Sequence, residues 1–198
     1  LMNLSSEALL QSNPENQGTI AIHTVLKKIE SQINAGLSDS DTAAVTAKEL
    51  HSGIRMLLKS VELEGDLCKE PQKVPPGTLN LTDRLFSLLN KMNIDAKSLG
   101  FNTIEYAKFG ELLYRCGHLD WASSSFQAAI EKSPGHTASL SSLTHLAKQD
   151  GNIESQLDWI EKMIEHDPDN SNLLRSHASL VVQSGVDEER AERDVLRL

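Results

Sequence analysis

Cysteine and histidine are the residue types in this chain that could hold a metal, and the sequence contains two cysteines and seven histidines. The closest Cys/His pair is Cys116 and His118, which one residue separates. A structural zinc site needs four ligands, usually supplied as two such pairs. No second pair occurs at a suitable spacing in the sequence. The sequence therefore predicts no metal site and no cofactor, and we interpret Cys116 and His118 as ordinary turn residues.

Carboxylates are the residues most suited to acid–base chemistry, and four of them recur at helical spacing: Glu154, Asp158, Glu161 and Glu165. A regular charged stripe on a helix is typical of a solvated face. General acid–base catalysis instead needs carboxyl groups whose pKa an apolar setting has shifted. The sequence also contains no phosphate-binding glycine loop and no nucleophile elbow. We therefore predict that the protein is not an enzyme.

The overall charge restricts the class of partner. The chain has 198 residues and a net charge of −9, which argues against binding to nucleic acid or to an anionic membrane surface. No apolar stretch of the sequence has the length of a signal peptide or a membrane span. Two cysteines do not make a disulfide framework. These features favour a cytoplasmic protein.

Apolar residues at helical spacing, interrupted by polar and proline-rich stretches, divide the chain into segments. We expect a disordered polar segment at 1–18, a helical hairpin at 19–68 with helices at 19–37 and 41–66, a proline-rich linker at 69–79, and a bridging helix followed by a repeat array at 80–198. An all-α protein follows from this order of segments.

The repeat array is indicated by glycine and proline spacing. Gly117, Gly151 and Gly185 are 34 residues apart, and Pro134 and Pro168 are separated by the same distance. A fixed period of this length is typical of helical repeats in which every copy ends its helices at equivalent positions.

Residues 103–136 resemble the tetratricopeptide repeat. The signature positions that carry the resemblance are Tyr106, Phe109, Gly110, Leu113, Gly117, Ala122, Phe126 and Pro134. A second copy at 137–170 keeps Gly151 and Pro168 but has Thr144 and Gln156 where the family has small residues, so its two helices are expected to pack less closely. A partial copy at 171–198 keeps Gly185. The resemblance implies a short right-handed α-solenoid built from helix–turn–helix units.

The resemblance further implies a non-catalytic interaction module or adaptor that binds a peptide or helix in a concave groove. The first helix of each repeat lines that groove. The matching positions are Ala107, Lys108, Glu111, Tyr114 and Arg115 in the first copy, Ser141, Ser142, His145, Lys148 and Gln149 in the second, and Asn172, Arg175, Ser176, Ser179 and Gln183 in the third.

Charge at the groove positions suggests the chemistry of the ligand. Lys108, Arg115, Lys148 and Arg175 are cationic, whereas Glu111 is the single acid among these positions. One interpretation is a groove that prefers an acidic or carboxylate-terminated segment. The other is that these cations are the solvated sides of ordinary helices. The sequence leaves both interpretations open.

A structural role is the alternative function. Two helices bury little apolar surface on their own. The hairpin at 19–66 could therefore self-associate, and the protein would then be a homo-oligomeric subunit of a larger assembly with the repeats as spacers.

Overall fold

The computed structural model describes residues 17–35, 40–61, 63–69, 74 and 76–185. All regular structure in this part of the chain is helical, which confirms the predicted all-α fold class. The chain divides into two compact units. The helical unit comprises residues up to 63 and residues 72–100, and the repeat unit comprises residues 64–71 and those from 101 onward.

The helical unit contains three helices that contact one another. These are α1 (Gln17–Asn34), α2 (Ser40–Ser60) and α3 (Pro76–Lys91), and a short 3₁₀ turn follows at Lys97–Leu99. Their buried apolar residues recur at helical spacing: Ile22, Leu26, Ile29, Leu50, Ile54, Leu57, Leu81, Leu85, Leu88 and Leu89. The apolar faces of the predicted hairpin are therefore packed with a third helix of the same unit.

A bidentate ion pair joins α3 to α1. The Nη2 atom of Arg84 lies 2.9 and 2.8 Å from the two carboxylate oxygens of Glu30, and its Nη1 lies 2.8 Å from Nδ1 of His23. Both partners of the pair are partly buried, where a planar guanidinium–carboxylate pair fixes orientation better than an exposed one. This packing provides within one chain the partner that the hairpin was expected to need.

The element boundaries differ from the predicted ones in two places. The second helix ends at Ser60, whereas the sequence predicted that it would continue to 66. Helix α3 begins at Pro76, inside the predicted linker, because a proline without an N–H is well suited to the first helical position. The expected disorder of the N-terminus falls mainly on residues 1–16, and the second helix of the partial third repeat falls on 186–198. Both lie outside the described residues.

The repeat unit contains five helices with a regular register. They are α4 (Thr103–Arg115), α5 (Leu119–Lys132), α6 (Thr137–Gln149), α7 (Ile153–His166) and α8 (Ser171–Ser184). The helices α4, α6 and α8 begin 34 residues apart, as do α5 and α7, and each helix contacts the next. The result is two helix–turn–helix repeats and the first helix of a third.

Glycines allow the turns and the close helix crossing. Gly117, Gly151 and Gly185 have φ angles of 82°, 67° and 66°, the left-handed region that side chains disfavour. Gly110 serves a different purpose, because a Cβ placed there would lie 3.0 Å from ring atoms of Phe126. The missing side chain lets α4 and α5 approach each other across the Phe126 ring.

The first helix of each repeat begins after a capping side chain. The caps are Asn102, His136 and Asn170, which are again 34 residues apart. Asn102 forms a reciprocal capping box with Glu105, with hydrogen bonds of 2.9 and 3.0 Å. At the second position Nδ1 of His136 accepts the N–H of Ser139 at 3.3 Å. The middle repeat therefore depends on a titratable cap.

We expect this cap to make the repeat unit sensitive to acid. Partial burial lowers the pKa of His136, and Asp66 opposes that effect. The unfolded imidazole, with a pKa of about 6.5, binds its proton more readily, so protonation favours unfolding. The stability that neutral His136 provides is present above about pH 6.5 and is lost as the pH falls through the lowered pKa of the folded state.

Urea unfolding between pH 5 and 8 measures this effect. His136→Asn, which copies the caps of the flanking repeats, should make the unfolding free energy less dependent on pH by up to about 1 kcal/mol. Equal pH dependence in the variant and the parent protein would contradict the assignment.

Candidate functional site

The predicted groove positions lie on α4, α6 and α8, and we call the surface that they form the groove face. These residues do not form one open surface. Some are covered by another segment of the chain, some are bonded to each other, and some line a cleft.

A segment between the helices covers the part of the groove face on α4 and α6. We call this segment, Glu64–Lys69, the strap. The N–H of Gly65 donates to Oε2 of Glu111 at 2.7 Å, and the N–H of Leu67 donates to Oγ of Ser142 at 3.0 Å. The thiol of Cys68 lies 3.6 Å from the carbonyl oxygen of Ser141. Backbone donors of the strap are therefore bound by two successive repeats.

Glycine is required where the strap comes closest to α4. Gly65 has a φ of 72°, and a Cβ there would lie 2.8 Å from Cβ of Ala107. The same Cβ would also lie 3.1 Å from the carbonyl carbon of Ala107 and 3.2 Å from the backbone nitrogen of Lys108. Real Cβ atoms do not tolerate such distances to backbone, so any other residue here would push the strap off the helix.

The strap is also held in its turn by its own side chains. Nζ of Lys69 lies 2.8 Å from Oε2 of Glu64, and the N–H of Cys68 donates to Oδ1 of Asp66 at 3.0 Å. The hydrogen bond and charge of Lys69 lower the pKa of Glu64, and the more distant Lys108 adds to the effect. Partial burial and then Asp66 raise the pKa of the Cys68 thiol, which Lys148 opposes.

Two polar groove residues are fully used beneath the strap. Glu111 is 1% exposed, and its second oxygen, Oε1, accepts hydrogen bonds from the guanidinium of Arg115, one of them at 3.1 Å from Nε. The buried hydroxyl of Ser142 donates to the carbonyl of Ala138 at 2.8 Å while it accepts from the strap. The charges of Glu111 and Arg115 thus neutralise each other within one helix.

Three further groove residues form a cluster between the first two repeats. The amide of Gln149 donates to the hydroxyl of Tyr114 at 2.6 Å, and that hydroxyl lies 3.4 Å from Nε2 of His145. The rings of Tyr114 and His145 meet edge to face with centroids 6.0 Å apart. These contacts join α4 to α6.

The remaining groove residues line a cleft between α6, α7 and α8. This open cleft has a volume of about 670 Å³, within the usual range for ligand sites. Its lining residues are Thr144, Lys148, Gly151, Ile153, Gln156, Ile160, Arg175, Ser176, Ser179, Leu180 and Gln183. Two are cations, and no acid is among the described residues that line the cleft. Asn172 lies outside it, in the first turn of α8.

The open cleft coincides with the two departures from the repeat signature. Thr144 and Gln156 both line it. The hydroxyl of Thr144 donates to the carbonyl of Leu140 at 2.9 Å, and the amide of Gln156 lies 3.3 Å from the carbonyl of Asn152. Because their polar groups are bonded within their own helices, the walls of the cleft are stable without a ligand.

Sequence reasoning found the groove residues but not the strap. Nothing local distinguishes Glu64–Lys69 from the end of a helix, since its partners lie 46 and 75 residues further along the chain. The pairing of Glu111 with Arg115 did have a sequence signal, because the two residues are four apart on one helix.

Within the described part of the chain, no group of three or more histidine, cysteine, aspartate or glutamate residues could hold a metal ion. Among the same residues, no helix has the length and apolar character needed to cross a membrane.

The register, the turns and the helix pairs together define an α-solenoid of the tetratricopeptide type. No protein-family model and no curated protein sequence matches the chain significantly. Among solved structures, MamA is similar over 91% of this chain and 90% of its own, with a TM-score of 0.46 and 15% identity. YrrB, described as "a TPR protein with an unusual peptide-binding site", covers 85% of this chain and 89% of its own, with a TM-score of 0.41 and 15% identity.

Proposed function

We propose that the protein is a non-catalytic interaction module whose open cleft binds an acidic segment of a partner protein. The observation that supports this function is the pair of exposed cations, Lys148 and Arg175, on a cleft without a described acidic lining residue. Their charge favours a carboxylate even though the whole chain has a net charge of −9, because a ligand responds mainly to the local field.

The other lining groups suit a peptide. Ser176, Ser179 and Gln183 offer hydrogen-bond donors and acceptors along one face of α8, while Ile160 and Leu180 contribute apolar surface. Concave sites of this kind combine apolar area for affinity with a few polar groups for orientation. An acidic peptide with an apolar side chain beside its carboxylate matches that combination.

Charge reversal tests this function. Short fluorescent peptides, one rich in aspartate and one with asparagine in its place, are titrated against the full chain and followed by anisotropy. Lys148→Glu combined with Arg175→Glu should weaken binding of the acidic peptide by about tenfold or more, since each lost charge-assisted contact has a large effect on the free energy of binding. The asparagine peptide should bind weakly to both proteins.

The matched control changes the net charge equally at another site. Lys132→Glu combined with Lys162→Glu alters two exposed cations of the repeat unit that do not line the open cleft. This control should stay within about twofold of the parent protein, because screened surface charges outside the contact contribute little. Equal losses in both variants, or equal binding of the two peptides, would overturn the proposed function.

A further inference from the structure

The strap occupies its part of the groove face in the manner of a bound peptide. Its contacts with α4 and α6 come from backbone N–H groups and one thiol, and glycine is required at one position. Backbone donors bound by fixed side chains give affinity, and a position that admits only glycine gives specificity. A segment of a different protein with the same features could make the same contacts.

The strap is also exposed enough to leave. Glu64, Cys68 and Lys69 are exposed, and Asp66 and Leu67 are only partly buried. Segments with few buried apolar contacts open at a low free-energy cost. Beneath them, Glu111 and Ser142 are almost fully buried polar groups, which need a new hydrogen-bond donor once the strap has gone.

We propose that the strap is a tethered occupant of the groove face, and that a partner segment of the same chemistry displaces it. That segment has an acidic residue, a glycine in the left-handed conformation, a second acidic residue and an apolar residue, as in Glu64–Leu67. The proposal rests on the proposed function in that both assign peptide binding to the groove face, but it concerns α4 and α6 and not the open cleft. Tethering favours the strap because its effective concentration reaches the millimolar range.

A peptide copying residues 62–71 serves as the probe, with its cysteine replaced by serine. The full chain carrying Gly65→Ala has a strap that fits poorly, because the added Cβ meets Ala107. We expect the fluorescent peptide to bind this variant at least about tenfold more tightly than it binds the parent chain. A peptide with alanine in place of its glycine should bind neither protein.

Two control variants locate the effect. Gly117→Ala also places a side chain at a positive φ, but in open space, so it should leave peptide binding within about twofold of the parent. Adding Ser142→Ala to the Gly65→Ala chain removes the acceptor for a backbone N–H and should weaken peptide binding about fivefold or more. Arg175→Glu should not change it, so a failure of the open-cleft assignment and a failure of this proposal give different results.

A second measurement needs no destabilised variant. In the full chain with Cys116→Ser, Cys68 is the only remaining thiol. Displacement of the strap by excess probe peptide should speed alkylation of Cys68 severalfold, because partial burial no longer disfavours its thiolate. Equal peptide binding by the parent and Gly65→Ala chains, no binding to either, or an alkylation rate that saturating peptide leaves unchanged would each overturn the proposal.

Discussion

Phe126→Ala is expected to lower the unfolding free energy of the repeat unit by about 3–5 kcal/mol, the usual cost of deleting a buried aromatic ring. Phe126 is 0% exposed and fills the crossing of α4 and α5 against Gly110. Gly110 has no side chain that could move into the space, so the cavity would stay open. The loss should therefore be near the upper end of that range.

Tryptophan fluorescence during urea unfolding measures this loss. Both tryptophans of the chain, Trp121 and Trp159, lie in the repeat unit, so the signal does not mix the two units. Val182→Ala is the control, because this apolar side chain is 67% exposed and should cost less than about 0.5 kcal/mol. Adding Gly110→Ala to Phe126→Ala should recover part of the loss, since its methyl group enters the cavity. A Phe126→Ala loss no larger than that of the control would contradict the packing.

Glu111→Ala should destabilise the repeat unit by about 2–3 kcal/mol, because hydrogen bonds to a charged group are stronger than neutral ones. The substitution removes the acceptor of the Gly65 N–H and leaves the guanidinium of Arg115 without its carboxylate. The side chain of Arg115 is 18% exposed, so water compensates part of the loss. Glu111→Gln keeps an oxygen for one donor and should cost about half as much.

The same urea experiment ranks the three proteins. Glu165→Ala, at an exposed carboxylate on α7, is the matched control and should stay within about 0.5 kcal/mol of the parent. If Glu111→Ala and Glu111→Gln were equally stable, the carboxylate would not be joining the strap to Arg115.

The sequence was sufficient to predict the repeat register. The predicted copies at 103–136 and 137–170 begin at the first residues of α4 and α6. Glycine and proline determine local backbone geometry, so their spacing can be interpreted without tertiary information. The caps Asn102, His136 and Asn170 follow the same period and were also open to prediction.

The helical unit and the strap could not be predicted in the same way. After Ser60 no proline or strong helix breaker precedes Gly65, and local propensity favours a longer helix. The strap is instead bound by side chains far along the chain, at Glu111 and Ser142. Contacts of that separation override local preference and leave no periodic signal. The mutual bonding of Tyr114, His145 and Gln149 is hidden for the same reason.

The order of synthesis gives the strap a further consequence. A ribosome makes Gly65 46 residues before Glu111, and Leu67 75 residues before Ser142. The strap therefore exists before its binding site, and its docking must follow the folding of α4 and α6. During that interval its backbone donors are hydrated and the groove face of the newly folded repeats is uncovered. A partner present during translation would meet this surface without competition from the strap.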